Sequence, residues 1–243
     1  MKTQAIAFSL LLMAGIFQAM SQSMIEVRQS VNQLIPDGTP TGMASTITIS
    51  GQDASVADVI VNLDITGSYN GDLYAYLVHD NGFAVLLNRV GSTPTDIYGY
   101  GDSGMDVSFS DSAANGNIHY YQQVTIPAAG TQLTGTWAPD GRNVSPYAVT
   151  GMETPTALLA SFDGGDVDGN WMLFVADVSG GDLNYLTSWG LEIEPVPEPA
   201  CGALAGLALL AYSTWRLRWL HPRQFMAKLT LAGNKVPTAG NTF

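Results

Sequence analysis

The stretch "DVIVNLDIT", Asp58 to Thr66, decides the fold. Its apolar side chains recur at every second position, namely Val59, Val61, Leu63 and Ile65. The positions between them hold Asp58, Ile60, Asn62 and Asp64. A period of two residues is the pattern of a β-strand with one mostly buried face. This stretch therefore predicts one strand of a sheet that covers a hydrophobic core.

The same pattern continues on both sides of this stretch. "LYAYLV" and "FAVLL" flank "HDNG", which predicts a hairpin from Leu73 to Leu87 with a type I′ turn at Asn81-Gly82. Six further short strands are predicted at Ser45–Ser50, Val107–Ser110, Tyr120–Ile126, Ala157–Ser161, Trp171–Ala176 and Ser188–Ile193. Gly, Asn, Asp and Pro separate the strands, which is typical of an all-β sandwich or barrel. Three tryptophans are expected in its core: Trp137, Trp171 and Trp189.

Both ends of the 243-residue chain differ from this body. Residues 1–23 have a positive start, an apolar run and the small-residue pattern of a cleavage site, which predicts a secretory signal peptide rather than an N-terminal anchor. Residues 200–219 are apolar and precede a basic tail at 220–243, so we expect a transmembrane helix with the tail in the cytoplasm. The alternative for the second run is a core helix of a soluble protein. The β-sandwich is then assigned to residues 24–194, and a Pro-rich linker to 195–199.

Charge divides the chain at the same places. All 21 acidic residues lie between Glu26 and Glu198, a stretch with only three basic residues, so its net charge is −18. Such a body repels nucleic-acid phosphates and attracts cations, which excludes nucleic acid as a partner. The only cysteine, Cys201, lies outside the body, so no disulfide stabilises it.

One short run has the letters of a protease active site. "GDSG", Gly101 to Gly104, surrounds the nucleophilic serine in trypsin-like enzymes. In those enzymes a glycine follows the run and the catalytic histidine stands far upstream of the serine. Here Met105 follows the run, and the only histidine before Ser103 is His79, which lies 24 residues away in the expected hairpin turn. A catalytic triad needs a base within reach of its serine. We therefore interpret Ser103 as part of an ordinary turn and predict no enzymatic activity.

Two other groups of residues are candidates for binding. Asp163, Asp166 and Asp168 in "FDGGDVDGN" offer the oxygen ligands that Ca²⁺ prefers, although the EF-hand spacing is absent. The alternative is an acidic, solvated turn, and Asp72 or Asp177 could contribute to a site instead. Tyrosines in predicted loops and strand edges are typical of sugar or protein surfaces, or of half-buried packing. They are Tyr69, Tyr98, Tyr100, Tyr120, Tyr121 and Tyr147.

The body resembles a P domain, also called P/Homo B, the domain that follows the catalytic domain in subtilisin-like proprotein convertases. The matching residues are "IPDG" at Ile35 to Gly38, Gly71-Asp72-Leu73, and "GNWMLFVADVSGGDLNYLTSWGLEI" at Gly169 to Ile193. Family members usually carry a histidine where Gly67 stands. The resemblance covers about residues 33–194. It implies a jelly-roll β-sandwich that is not itself catalytic and that stabilises a serine-type endopeptidase domain.

The end of the chain resembles a PEP-CTERM sorting signal. Its matching parts are Val196, the motif Pro197-Glu198-Pro199, an apolar run rich in Gly, Ala and Leu, and the arginines Arg216 and Arg218. The resemblance implies recognition by a membrane-embedded exosortase in a Gram-negative bacterium. It also implies transfer from the inner membrane to the cell surface or the exopolysaccharide matrix.

Three functions follow from these expectations. The first is an exported, surface-sorted and non-catalytic β-sandwich with an adhesive or structural role in the envelope or matrix. The second is an accessory P domain that serves a separate subtilisin-like protease. The third is a calcium-dependent module that binds a glycan such as the exopolysaccharide.

Overall fold

The computed structural model describes residues 23–197 and 211–212. Residues 23–197 form nine β-strands: β1 (Ile25–Leu34), β2 (Met43–Ile49), β3 (Ala54–Gly67), β4 (Leu73–His79), β5 (Gly82–Asn88), β6 (Met105–Phe109), β7 (Leu133–Trp137), β8 (Gly169–Asp177) and β9 (Asn184–Pro197). Three short 3-10 helices lie between them, at Asn70–Asp72, Ile118–Gln123 and Leu159–Phe162. The predicted all-β class is confirmed.

The strands pair as a long ribbon that has been folded back and rolled up. Four antiparallel pairs form the ribbon: β1 with β9, β2 with β8, β3 with β6, and β4 with β5. Rolling the ribbon also pairs β3 with β9 and β4 with β8. The result is sheet A, ordered β1-β9-β3-β6-β7, and sheet B, ordered β2-β8-β4-β5. This strand order is that of a jelly roll, to which β7 adds an edge strand parallel to β6.

The hydrophobic core lies between the two sheets. In β3 the four apolar residues of the opening stretch are at most 1% exposed, as their period of two predicts. Trp137, Trp171 and Trp189 are also buried, and each indole N–H has an acceptor, for example the Ser45 hydroxyl at 2.9 Å from Trp189. All buried core residues lie between Ile35 and Ile193, so residues 23–197 contain a complete core of their own.

Two predicted strands are wrong. Residues 120–126 begin inside the 3-10 helix Ile118–Gln123, where Ile118 and Tyr121 are buried at the spacing of three that this helix places on one side. Residues 157–161 end in the 3-10 helix Leu159–Phe162, whose first amides donate to the carboxylate of Asp111. Aromatic and β-branched residues favour strands in general, but here local hydrogen bonds fix tighter turns. Two strands that the pattern did not indicate, β1 and β7, lie at the edges of sheet A.

The predicted hairpin is confirmed, but its turn differs from the prediction. His79 pairs with Gly82, and Asp80, with φ 48°, takes the positive φ of the turn. Gly82 already belongs to β5 and serves packing instead, because an added Cβ would lie 2.2 Å from the Phe162 ring. The two turn residues are therefore Asp80 and Asn81 rather than Asn81 and Gly82.

The sandwich extends further than predicted at its C-terminal end. β9 continues through Pro195 to Pro197, and Pro195 and Pro197 pair with Val56 and Ala54 of β3. The first residues of the expected linker are thus a strand of sheet A. Residues 1–22 of the predicted signal peptide, Glu198, Pro199 and nearly all of the predicted transmembrane helix and tail lie outside the described residues. Within the described part of the chain, no helix has the length and apolar character that a membrane crossing requires.

Candidate functional site

The Gly-Asp-Ser-Gly run is a loop that the two neighbours of Ser103, Asp102 and Gly104, hold in place. The carboxylate of Asp102 accepts hydrogen bonds from the Tyr121 hydroxyl and the Gln122 amide, both at 2.7 Å. Gly104 has φ 75°, and an added Cβ would lie 2.4 Å from the Ile65 carbonyl oxygen. Aspartate and glycine are therefore required here for the path of the chain, and this requirement accounts for the letters of the run.

The two described histidines hold loops in place. His79 is buried and stacks on Trp171 with ring centroids 3.9 Å apart, and its two ring nitrogens face the carbonyl oxygens of Asp166 and Asn170 at 2.7 and 3.1 Å. His119 faces the Asp140 carboxylate at 2.7 Å and the Ser92 carbonyl oxygen at 3.0 Å. Both ring nitrogens of each histidine face these groups, and neither histidine forms a hydrogen bond with Ser103.

His119 belongs to a buried ionic cluster that the sequence did not indicate. Asp140 also accepts from Arg142 at 3.1 Å, and Arg142 donates to the Gly151 carbonyl oxygen and the Tyr120 hydroxyl. His119, Asp140 and Arg142 are each at most 3% exposed. A histidine beside a carboxylate resembles part of a triad, but this one is sealed from solvent. The cluster joins the long loops between β5 and β8.

The structure does not gather the three aspartates predicted to bind Ca²⁺. Asp166 and Asp168 line one shallow groove together with Asp53, and Asp168 accepts from the amides of Gly51 and Gln52. Asp163 lines a separate groove beside the β4–β5 hairpin. Burial, with Asp58 and Asp111 nearby, raises the pKa of Asp163.

Within residues 23–197, no cluster of three or more Asp, Glu, His or Cys side chains is arranged to hold a metal ion. Calcium binding by Asp166 and Asp168 stays a prediction, without Asp163 as a neighbour.

Two motif residues of the P-domain resemblance, Asp72 and Asp177, meet where β4 begins and β8 ends. Asp72 and Asp177 are 3% and 0% exposed. Burial, and then the charge of Asp177, raises the pKa of Asp72 to about 6, although Arg89 at 3.7 Å opposes this. Burial also raises the pKa of Asp177, which the Asn184 amide at 2.8 Å partly offsets.

Asp72 and Asp177 fasten the adjoining loops, the first through its backbone and the second through its side chain. The Asp72 carbonyl oxygen accepts from Val178, and the Asp177 carboxylate accepts from the Ser179 amide. Where the resembling family has histidine, Gly67 has φ 148°, and an added Cβ would lie 2.4 Å from the Asn184 side-chain oxygen. A side chain at position 67 would displace Asn184.

The outer face of sheet A is acidic. Acidic residues lie directly opposite each other on neighbouring strands in three pairs: Glu26 with Glu192, Asp58 with Glu194, and Asp64 with Asp106. Like charges in this position destabilise a sheet. Polar side chains bridge part of the face, since Asn62 donates to Glu192 at 2.8 Å and Gln132 donates to Asp64 at 2.8 Å. Arg28 is the only basic residue on these strands.

The outer face of sheet B is aromatic and uncharged. We call "the aromatic face" the half-buried side chains that point outward from β4, β5 and β8: Tyr74, Tyr76, Val78, Phe83, Met172 and Phe174. The rings of Tyr76 and Phe174 stack at 4.7 Å and 16°, and Tyr74 and Phe83 pack against them. The exposed outward residues of β2 are Ala44, Thr46 and Thr48. A solvent-facing sheet normally alternates with polar residues, so this face is exceptional within the molecule.

Sequence patterns could have indicated this face only in part. The alternation "LYAYLV" has apolar residues on both sides of β4, which is a signal of two covered faces. The tyrosines singled out from the sequence behave differently from one another. Tyr121 is core, Tyr120 joins the ionic cluster, and only Tyr98 and Tyr147 are prominently exposed.

No family model and no curated protein matches the chain. Two solved structures resemble part of it: a complex of a serine protease of Aeromonas sobria with the chaperone ORF2, and the serine protease of Aeromonas sobria. The first is 17% identical with a TM-score of 0.38, over 75% of this chain and 28% of that chain. The second is 18% identical with a TM-score of 0.37, over 75% and 29%. The chain thus spans less than a third of the length of either structure.

Proposed function

We propose that this chain is an exported, non-catalytic interaction module of the cell envelope or exopolysaccharide matrix, and that the aromatic face docks it on a partner protein. The observation that carries the proposal is the absence of charge on this face. Residues 23–197 hold twenty acidic and three basic residues, a net charge of −17, yet none of the outward residues of sheet B is charged. Aromatic side chains are enriched in protein interfaces and charged ones are depleted from their centres.

The packing of the rings favours a protein over a glycan. Tyr76 and Phe174 each use one ring face against the other, and Phe83 and Tyr74 pack against them, so little ring face is left on which a sugar could lie. Their edges and the Tyr76 hydroxyl suit an apolar protein surface with a few hydrogen-bond partners. The glycan-binding alternative lacks this support.

A photo-crosslinking amino acid tests the docking face in the native envelope. Placed at Tyr76, it should give an adduct of discrete protein mass, and at Thr136, exposed on sheet A, it should give none. An adduct that glycosidases shorten would favour a glycan partner instead. Equal crosslinking at both positions, or none at Tyr76, would contradict the proposal.

In a second candidate function, the partner of the aromatic face is a protease. An accessory role for a separate subtilisin-like protease depends on the P-domain resemblance, and the joint burial of its motif residues Asp72 and Asp177 supports that resemblance. If this role is correct, the adduct at Tyr76 should contain a subtilase, and the purified module should extend the lifetime of that enzyme on heating. A Tyr76→Asp module should not.

We also propose that an exosortase recognises Pro197-Glu198-Pro199 and releases the chain from the inner membrane of a Gram-negative bacterium. Prolines at 197 and 199 favour an extended backbone and remove amide donors, so the motif, which begins at the last residue of β9, suits an enzyme that threads it. In an exosortase-containing host, an epitope after Phe243 should be lost from the wild type and retained when the three residues are alanines. If both forms keep the epitope and fractionate alike, the motif is only a linker.

A further inference from the structure

The four sheet edges of this jelly roll are protected to different degrees. At the β5 edge, loop residues 140, 141 and 157 hydrogen-bond to the backbone of Val85 and Leu86. At the β7 edge, the carbonyl oxygens of Thr134 and Thr136 accept from Trp137 and Asn115 side chains. The β1 edge is bent by a bulge between Ser30 and Gln33. Bulges and covering loops are the ordinary means by which an edge is kept from pairing with another chain.

β2 has none of these protections among the described residues. Its seven residues pair with β8 in unbroken register, without a bulge. No loop of residues 23–197 donates to or accepts from its backbone on the other side. Its sequence, MASTITI, has no charge and no proline and is rich in β-branched residues, so it is a regular, extended edge.

We infer that β2 pairs antiparallel with β2 of a second copy of this chain, about a two-fold axis at Thr46. Thr46 is the middle residue of Met43–Ile49, so this register places Ala44 of one copy opposite Thr48 of the other. All exposed side chains that meet are then small and uncharged. The joined sheets B form one eight-stranded sheet, and the aromatic faces of the two copies lie on the same side of it.

Charge distribution is the reason for choosing a second copy as the occupant. In each copy residues 23–197 carry a net charge of −17, and the carboxylate pairs of sheet A repel an identical face. Sheet B is where two copies can approach without bringing charged strands together. A two-fold interface needs a self-complementary patch, which a charge-free strand paired with itself provides. The remaining repulsion between the bodies is long-range, so salt should weaken it.

Sedimentation velocity of residues 23–197, which hold a complete core, tests this inference. We expect a dimer that forms between micromolar and sub-millimolar protein and that strengthens with added NaCl. Thr46→Lys and Thr46→Asp should each be monomeric, because like charges then meet on the axis, and an equimolar mixture of the two should dimerise again. Thr134→Lys, the same change on the edge strand of sheet A, should leave the dimer unchanged.

The mixing experiment separates a lost interface from a lost fold, since a misfolded variant is not rescued by its partner. A wild type that stays monomeric throughout, a Thr46→Lys variant that dimerises normally, or a mixture that stays monomeric would each overturn the pairing. The inference does not depend on the docking partner: a Tyr76→Asp variant that loses its crosslinked partner should keep the dimer.

The full chain can be tested by disulfide trapping. With Cys201 replaced by alanine, Thr46→Cys should give a disulfide-linked dimer, because residues directly opposite each other in an antiparallel pair approach within disulfide range. Thr134→Cys is the matched control and should stay monomeric. Equal trapping at both positions would overturn the inference.

Discussion

Asp102 supports its loop with hydrogen bonds, whereas the adjacent Ser103 makes none with a described residue. Asp102→Ala leaves the buried Tyr121 hydroxyl without its carboxylate acceptor, so we expect a loss of about 2 kcal/mol in the free energy of unfolding. Ser103→Ala should stay within about 0.5 kcal/mol of the wild type. Urea unfolding of residues 23–197 measures both. Stoichiometric labelling of Ser103 by a fluorophosphonate would show instead that it is a nucleophile.

Asp72 makes folding stability depend on pH. Its pKa rises from 3.8 to about 6 on folding, so the folded state holds this proton more tightly. The group therefore favours folding below about pH 4, and this contribution is lost as pH rises through about 6. Asp72→Asn removes the buried charge, and we expect it to stabilise the protein by about 1 kcal/mol at pH 7, since Arg89 offsets part of the penalty.

Melting temperatures from pH 4 to 7 test this sign. The advantage of Asp72→Asn should vanish near pH 4, where the wild-type carboxyl is protonated. Asp96→Asn, in an exposed turn, is the control and should show no such crossover. A variant that is less stable than the wild type at pH 7 would mean that the Arg89 ion pair outweighs the burial cost.

Single residues were predictable where one physical requirement acts on them. The burial of Val59 or Trp171 follows from an apolar side chain in a regular strand, and it needs no knowledge of distant residues. The roles of Asp102 and Gly82 do not follow in this way, because Tyr121 and Phe162 reach them only after the chain has folded. Asp163 was grouped with Asp166 for its proximity in sequence, yet the loop directs the two into different grooves.

At the scale of elements, the acidic pairs of sheet A should cost stability. Asp64 and Asp106 lie opposite each other on β3 and β6, and a double-mutant cycle with asparagine at both positions isolates their interaction. We expect a repulsion of about 0.5 kcal/mol at low salt. It should shrink at high ionic strength because the face is open to solvent. An attractive coupling would mean that a cation bridges the pair.

Elements with a clean period of two were predictable, as were the edge strands β2 and β5 and the short strand β6, whereas β1 and β7 at the edges of sheet A were not. β3, the β4–β5 hairpin, β8 and the centre of β9 lie where alternation indicated strands. β7 was missed because "LTGTW" buries only its two end residues. The 3-10 helix Ile118–Gln123 was predicted as a strand because tyrosines such as Tyr120 and Tyr121 are typical of strands. The hydrogen bond from the His119 amide to the Asn117 side chain distinguishes it.

At the scale of the whole molecule, the protein has one acidic face and one uncharged aromatic face. The carboxylates of the acidic face repel the same face of another copy and anionic surfaces. The aromatic face is the surface on which we propose that residues 23–197 contact a partner. Composition predicted the charge, but only the strand order showed that carboxylates and aromatic rings lie on opposite sheets.

This charge distribution sets the response of the body to ions. Sodium chloride should raise the melting temperature of residues 23–197, because screening relieves the repulsion among twenty carboxylates.

A specific ion that binds only the folded state adds RT ln(1 + [L]/Kd) to the free energy of unfolding, beyond the effect of screening. If Asp166 and Asp168 bind Ca²⁺, millimolar Ca²⁺ should stabilise the body more than Mg²⁺ at equal ionic strength, because Mg²⁺ dehydrates reluctantly. Asp166→Asn should then abolish the difference, whereas Asp163→Asn, in the other groove, should preserve it. Identical shifts for the two cations would reduce the effect to screening, and Asp168 would only accept hydrogen bonds from the Gly51 and Gln52 amides.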